Sequence, residues 1–123
     1  MVSFQRVMVV GAGQMGSGIA QVAAQAGCDV ILQDIKEEYT ERGMRTIATS
    51  LNRFVKKGQL TEEESAQILK RITPTTEIEM ARNAEIVIEA ATEQMAIKKE
   101  IFKKLDEFAP QQTLLATNTS SLP

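Results

Sequence analysis

The sequence predicts an α/β domain: a doubly wound, mainly parallel sheet with a helical hairpin inserted in it. Three observations carry that prediction. Short apolar runs alternate with longer stretches of helical period along the 123 residues, the pattern of a parallel sheet covered by helices on both faces. The first apolar run leads directly into Gly11-Ala12-Gly13-Gln14-Met15-Gly16, and the second ends on the acidic Asp34. Right-handed crossovers between such strands then give the doubly wound topology.

In chain order, Arg6 to Val10 (RVMVV) is a buried-strand candidate. Met15 to Ala26 follows as a helix, with apolar Ile19, Val22, Ala23 and Ala26 at helical spacing, and Gly27 is placed to stop it. Asp29 to Gln33 (DVILQ) is a second strand. Lys36 to Lys57 is one long helical pattern through Met44, Ile47, Ala48, Leu51, Phe54 and Val55, closed by Gly58. Thr61-Glu62-Glu63-Glu64 is a capping box, in which a Thr hydroxyl and a Glu three residues on satisfy orphan amides. The helix it starts carries Ala66, Ile68, Leu69 and Ile72, so residues 36–72 form a helical hairpin. Ile72 to Thr76 is a weak third strand, Ile78 to Arg82 a short helix and Glu85 to Glu89 (EIVIE) a buried strand. Ile97, Ile101, Phe102, Leu105 and Phe108 mark a further amphipathic helix ending near Pro110. Gln112 to Thr117 is a fifth strand, followed by Asn118-Thr119-Ser120-Ser121. Residues 1–123 read as one domain.

Composition narrows the function. Fourteen Lys and Arg against sixteen Asp and Glu give a net charge of -2, a poor basis for general binding of nucleic acid or an anionic membrane. The chain has no His, so it supplies no imidazole base of its own, and no CxxC or CxxH spacing suggests a metal site. One Cys forms no internal disulfide and fits a reducing, cytoplasmic compartment. No apolar run approaches the ~20 residues that span a bilayer. The N-terminus leads into a strand-like run rather than a signal peptide.

The glycine motif follows a strand and opens a helix, which gives it a physical role. Gly11 permits the tight turn, Gly13 lets the backbone approach a pyrophosphate, and Gly16 lets helix and strand pack closely. The helix N-terminus offers free amide donors to the anion. Asp34, eighteen positions after Gly16, stands near the ~20-residue spacing of a ribose-binding carboxylate. A 2′-phosphate would meet a like charge there, so the expected cofactor is NAD rather than NADP. This is the fingerprint of a Rossmann fold; the alternative reading is a ligand-free glycine-rich turn, with Asp34 capping the next helix. Read bare, Asn118-Thr119-Ser120-Ser121 is an ordinary turn before it is a site. Glu93 and Lys98 read as a helix-start acid and a solvated Lys, Lys57 as part of a solvated face, Cys28 as inert, and the six Met residues as core filler.

The segments VMVVGAGQMGSGIAQVAA, VILQD, IVIEAATE, KKEIFKKLD and ATNTSSL together resemble the N-terminal domain of the L-3-hydroxyacyl-CoA dehydrogenases, over essentially the whole chain. The resemblance implies that Gly11, Ala12, Gly13, Gln14, Met15 and Gly16 form the pyrophosphate turn and that Asp34 holds the adenosine ribose. It implies that Glu93 and Lys98 contact the cofactor near its nicotinamide half. Asn118 would place nicotinamide and substrate, and Ser120 would be the catalytic serine bonded to the reacting 3-oxygen. The hairpin would cover the CoA moiety of an acyl-CoA substrate, with Ser50 and Lys57 as its contacts.

In that family the general base is a His held by a Glu beyond the serine motif, and a helical domain follows that forms a dimer. The chain stops at Pro123, so it is expected to be the cofactor domain of a longer parent, binding NAD(H) but turning over negligibly alone. Apolar surface left open would make it a monomer or an adventitious self-associating species. The alternatives are a non-catalytic NAD(H)-sensing module, or the corresponding half of a related 3-hydroxyacid dehydrogenase.

Overall fold

In the computed structural model five strands form one sheet: β1 (Arg6–Val10), β2 (Asp29–Gln33), β3 (Ile72–Thr75), β4 (Ile86–Glu89) and β5 (Leu114–Thr117). Their order is β3-β2-β1-β4-β5, and every neighbouring pair is parallel. The helices are α1 (Gln14–Gln25), α2 (Glu37–Lys56), α3 (Glu62–Lys70) and α4 (Met95–Phe108), with a 3₁₀ turn at Ile78–Asn83. The structure describes residues 5–91, 95–109 and 114–117, with side chains for 5–91 and 99–109.

The central strand shows why the sheet is parallel and covered. Val7 to Val10 of β1 are all buried, as strands packed on both faces must be. Alternate residues serve opposite layers. Val7 and Val9 join Ala20, Leu32, Ile47 and Leu51 under α1 to α3. Met8 and Val10 join Val87, Ala81 and Leu105 under the 3₁₀ turn and α4. Pro74 lies in β3, which among the described residues pairs only with β2; an edge strand tolerates the missing donor.

The hairpin follows its local signals. Glu37 and Glu38 stand in the first turn of α2, Arg53 and Lys56 in its last, which complements the helix dipole. Gly58 adopts φ 75° past its end. Thr61 Oγ1 accepts from the Glu64 amide at 3.0 Å, and the Thr61 amide donates to Glu64 at 2.8 Å, completing the expected capping box.

The buried face of α1 differs from the predicted stripe. Gly16, Ser17, Ala20, Gln21 and Ala24 are buried, whereas Val22 is 67% exposed and Ala26 is exposed. Ile19 and Ala23 pack only at the margin of the core. The reason is close approach. A Cβ on Gly16 would fall 1.7 Å from the Gly11 carbonyl oxygen, and one on Gly43 of α2 would fall 2.9 Å from Ser17 Oγ. Only small side chains fit where α1 meets the strand turn and α2. Met15, 60% exposed, likewise is not core filler. The fourth strand begins at Ile86 rather than Glu85, whose carboxylate accepts the Gln5 and Arg6 amides at 2.7 and 2.9 Å. The predicted short helix at Ile78 is a 3₁₀ turn reaching Asn83. Gln112 and Thr113 of the expected fifth strand lie outside the described residues.

Candidate functional site

Strand order reverses between β1 and β4, and at such a switch point a cleft opens beyond the strand carboxyl ends. The glycine turn lies there. Gly11 has φ 109°, and a Cβ on it would lie 2.6 Å from Ala91 Cα, so two backbones touch at this point. Gly13 differs: it caps α1 with φ -73° and ψ -167° and offers no capping side chain, and among the described residues nothing lies within 4 Å of a Cβ built on it. Its open side and the uncapped first turn leave helix N–H donors for an anion.

Asp34 faces this turn from the end of β2. Its Oδ2 accepts the Ala12 amide at 2.8 Å and its Oδ1 accepts the Ile35 amide at 2.7 Å. A carboxylate has about four acceptor positions, so each oxygen keeps one for a ligand hydroxyl. Asp34 does not cap α2; Lys36 holds that position. A cavity of about 660 Å³ runs past these groups, with Gly11, Gly13, Asp34, Ile35, Ala91 and Ile101 in its wall. Tyr39 also lines it, with Lys36 Nζ 5.7 Å and the Arg42 guanidinium 5.9 Å from its ring centroid. Apolar walls, an anion-ready helix end and a carboxylate opposite are the features an adenine dinucleotide needs, so the residues present fit NAD.

The other expected residues distribute unevenly. Ala12 donates its amide to Asp34, so it supports the site rather than donating to an anion. Gln14 and Met15 line a shallow apolar groove with Ile19, Val22 and Ile88, while their backbones belong to the first turn of α1. Ser50 accepts from Gln21 Nε2 at 3.0 Å and lines a polar groove between α1 and α2 with Arg42, Arg45 and Arg53. Lys57 is the exposed C-cap of α2 and is not among that groove's lining residues. Glu93, Asn118 and Ser120 lie outside the described residues. Lys98 falls in α4, with its side chain outside the described part. Among the described residues, no group of three His, Cys, Asp or Glu is placed to hold a metal, and no helix is long and apolar enough to cross a membrane.

Sequence reading missed three features. Gly43 carries the close α1–α2 contact; a glycine inside a strong helical pattern is its visible signal. Arg42, Arg45 and Arg53 share the groove with Ser50, and their helical spacing was the available clue. Glu89, wholly buried at the end of β4, read as one residue of an apolar strand.

The chain is similar to known proteins over nearly its whole length. The family model described as the NAD-binding domain of 3-hydroxyacyl-CoA dehydrogenase matches residues 6–123. A Bacillus subtilis protein named probable 3-hydroxybutyryl-CoA dehydrogenase is 49% identical over 119 residues, covering 97% of this chain and 42% of its own length. The 3-hydroxyadipyl-CoA dehydrogenase of Escherichia coli K12 is 47% identical over 122 residues, covering 99% of the chain and 26% of its own length. The crystal structure of (S)-3-hydroxybutyryl-CoA dehydrogenase from Ralstonia eutropha superposes with a TM-score of 0.95 at 42% identity, over 98% of this chain and 42% of that one. The chain thus spans less than half the length of each of these relatives.

Proposed function

We propose a function from one premise: the chain belongs to the 3-hydroxyacyl-CoA dehydrogenase family, as its NAD-binding domain. Within a longer protein it serves the oxidation of an L-3-hydroxyacyl-CoA, with 3-hydroxybutyryl-CoA as reference substrate, to the 3-oxoacyl-CoA. The observation that carries the reading is the open, uncapped Gly13 turn facing Asp34 across one cavity.

The turn's amides take the pyrophosphate, and Asp34 takes the adenosine ribose hydroxyls with its two remaining acceptor positions. When bound, NAD supplies the acceptor for the hydride leaving C3 of the substrate. Ser120 hydrogen-bonds the reacting 3-oxygen, and Asn118 orients substrate and nicotinamide amide. Glu93 and Lys98 act near the nicotinamide half. These four roles rest on the resemblance of their motifs. For CoA, Ser50 and Lys57 carry the same warrant. The groove beside Ser50 adds support, because Arg42, Arg45 and Arg53 present guanidinium groups suited to phosphate. The Bacillus subtilis and Escherichia coli relatives have nearly equal identity but names that differ in acyl group, so similarity over this domain does not single out one acyl group. The single Cys28 is in keeping with a cytoplasmic setting.

The chain contains no His, and a missing positioned base typically removes ~10²–10⁴ in rate. The test uses this chain directly. NADH titrated into it, followed by fluorescence and calorimetry, is expected to saturate at a single site. Addition of NAD and 3-hydroxybutyryl-CoA is expected to yield no measurable NADH. A folded chain that shows no saturable binding up to millimolar NADH refutes the reading of the site. Ready turnover refutes the assignment of the base to another part of the protein.

A further inference from the structure

Glu89 is a carboxylate with no solvent exposure, at the last position of β4 and in register with Val10 of β1. The rest of that strand, Ile86, Val87 and Ile88, is apolar. Burying an acidic side chain among such neighbours is unfavourable unless hydrogen bonds satisfy its oxygens. One such bond is short and local: Glu89 Oε2 accepts the Ala91 amide at 2.7 Å. The preceding amide, Ala90 N–H, donates to the Val10 carbonyl at 2.8 Å. Together these bonds fix the Ala90–Ala91 backbone as the chain leaves β4. That backbone is what Gly11 presses against, at a separation no Cβ could enter. Ala90 and Ala91 also line the cavity that holds Gly13 and Asp34.

We propose that Glu89 is a positioning residue of the cofactor site. Its carboxylate holds the Ala90–Ala91 turn against Gly11 and so sets the width of the groove where a dinucleotide crosses from the β1 side of the sheet to the β4 side. It serves the part of the ligand beyond Gly13, not the adenosine half near Asp34 and Ile35. The inference rests on the NAD-binding reading of the site.

Two variants of this chain separate acceptor from packing. Glu89→Met keeps the buried volume and removes the acceptor, whereas Glu89→Gln keeps an oxygen able to accept the Ala91 amide. Affinities for NAD+ by calorimetry and for adenosine monophosphate by NMR titration are compared with wild type, with folding checked by circular dichroism. Glu89→Met is expected to weaken NAD+ at least tenfold and adenosine monophosphate less than twofold, and Glu89→Gln to stay within threefold of wild type for both. The proposal is overturned if folded Glu89→Met binds NAD+ as wild type does, if both ligands weaken in parallel, or if Glu89→Gln falls as far as Glu89→Met. Should Glu89→Met not fold, Glu89→Gln decides: retained NAD+ affinity with a protected Ala91 amide supports the proposal, and a tenfold loss overturns it. A wild-type chain that fails to bind NAD+ is a separate outcome, one that removes the cofactor reading itself.

Discussion

Gly13 and Gly16 stand three residues apart in one motif and answer to different constraints. Among the described residues a Cβ at Gly13 meets nothing within 4 Å, while one at Gly16 meets the Gly11 carbonyl at 1.7 Å. Gly13→Ala is therefore expected to change stability by no more than about 1 kcal/mol, the scale of an N-cap substitution, while lowering NAD affinity at least tenfold by filling the anion's place. Gly16→Ala is expected to destabilise by more than the roughly 1–3 kcal/mol of ordinary overpacking. Thermal melts and NADH titration of the two variants check this; equal loss of stability in both would show that Gly13 is structural. Glu85 offers a second test at this scale. The Arg6 amide, then the Gln5 amide, hold its carboxyl below the usual carboxylate range. A carboxyl whose pKa is depressed on folding adds stability that is complete above its unfolded pKa and is lost as pH falls through the folded one. Glu85→Gln is expected to flatten the acid limb of stability against pH and leave the neutral region nearly parallel to wild type, as melts across that range would show.

Elements differ in how far a neighbour decides them. Gly43 sits inside α2, where glycine is unfavourable by about 1 kcal/mol relative to Ala in an open helix. Here a Cβ would lie 2.9 Å from both the Ala12 carbonyl and Ser17 Oγ. Gly43→Ala is thus expected to destabilise by about 1–3 kcal/mol despite its better helix propensity, read as a lower denaturant midpoint at unchanged slope. The same contact explains what was legible beforehand. β1, the Thr61 capping box and the Gly58 stop are local, written in apolar runs and in residues that satisfy their own backbone, and the strands and hairpin could be placed from them. The tight turn at Gly11, the close packing at Gly16 and the place of Asp34 opposite the turn were legible because each of these residue types answers a single geometric need. The buried face of α1 was not, because closeness to α2 and to the glycine turn outranks hydrophobicity: Ser17 and Gln21 are buried while Val22 is exposed. Glu89 was hidden for the converse reason, since its role depends on a turn pressed against Gly11 from a distant part of the chain.

At the scale of the whole molecule, the sheet is one continuous body with separate cores on its two faces, and the cavity borrows walls from both halves of the strand order. Gly13 and Asp34 come from the β1–β2 side, Ala91 and Ile101 from the β4 side. A ligand seated there contacts groups that unfolding separates, so binding is linked to global stability. At a ligand concentration a hundred times Kd, that linkage is worth about 2.7 kcal/mol, or an upward shift in Tm of roughly 10 °C for a domain of this size. NADP presents its extra phosphate where Asp34 already directs a carboxylate to the ribose, and a like charge at hydrogen-bond range opposes it. At equal concentrations NAD is therefore expected to raise Tm by several degrees more than NADP. Asp34→Ala is expected to shrink the NAD shift and close the gap between the two cofactors. Thermal scans of both proteins with each cofactor measure this directly. Equal shifts with NAD and NADP in the wild-type chain would mean that Asp34 does not face the ribose.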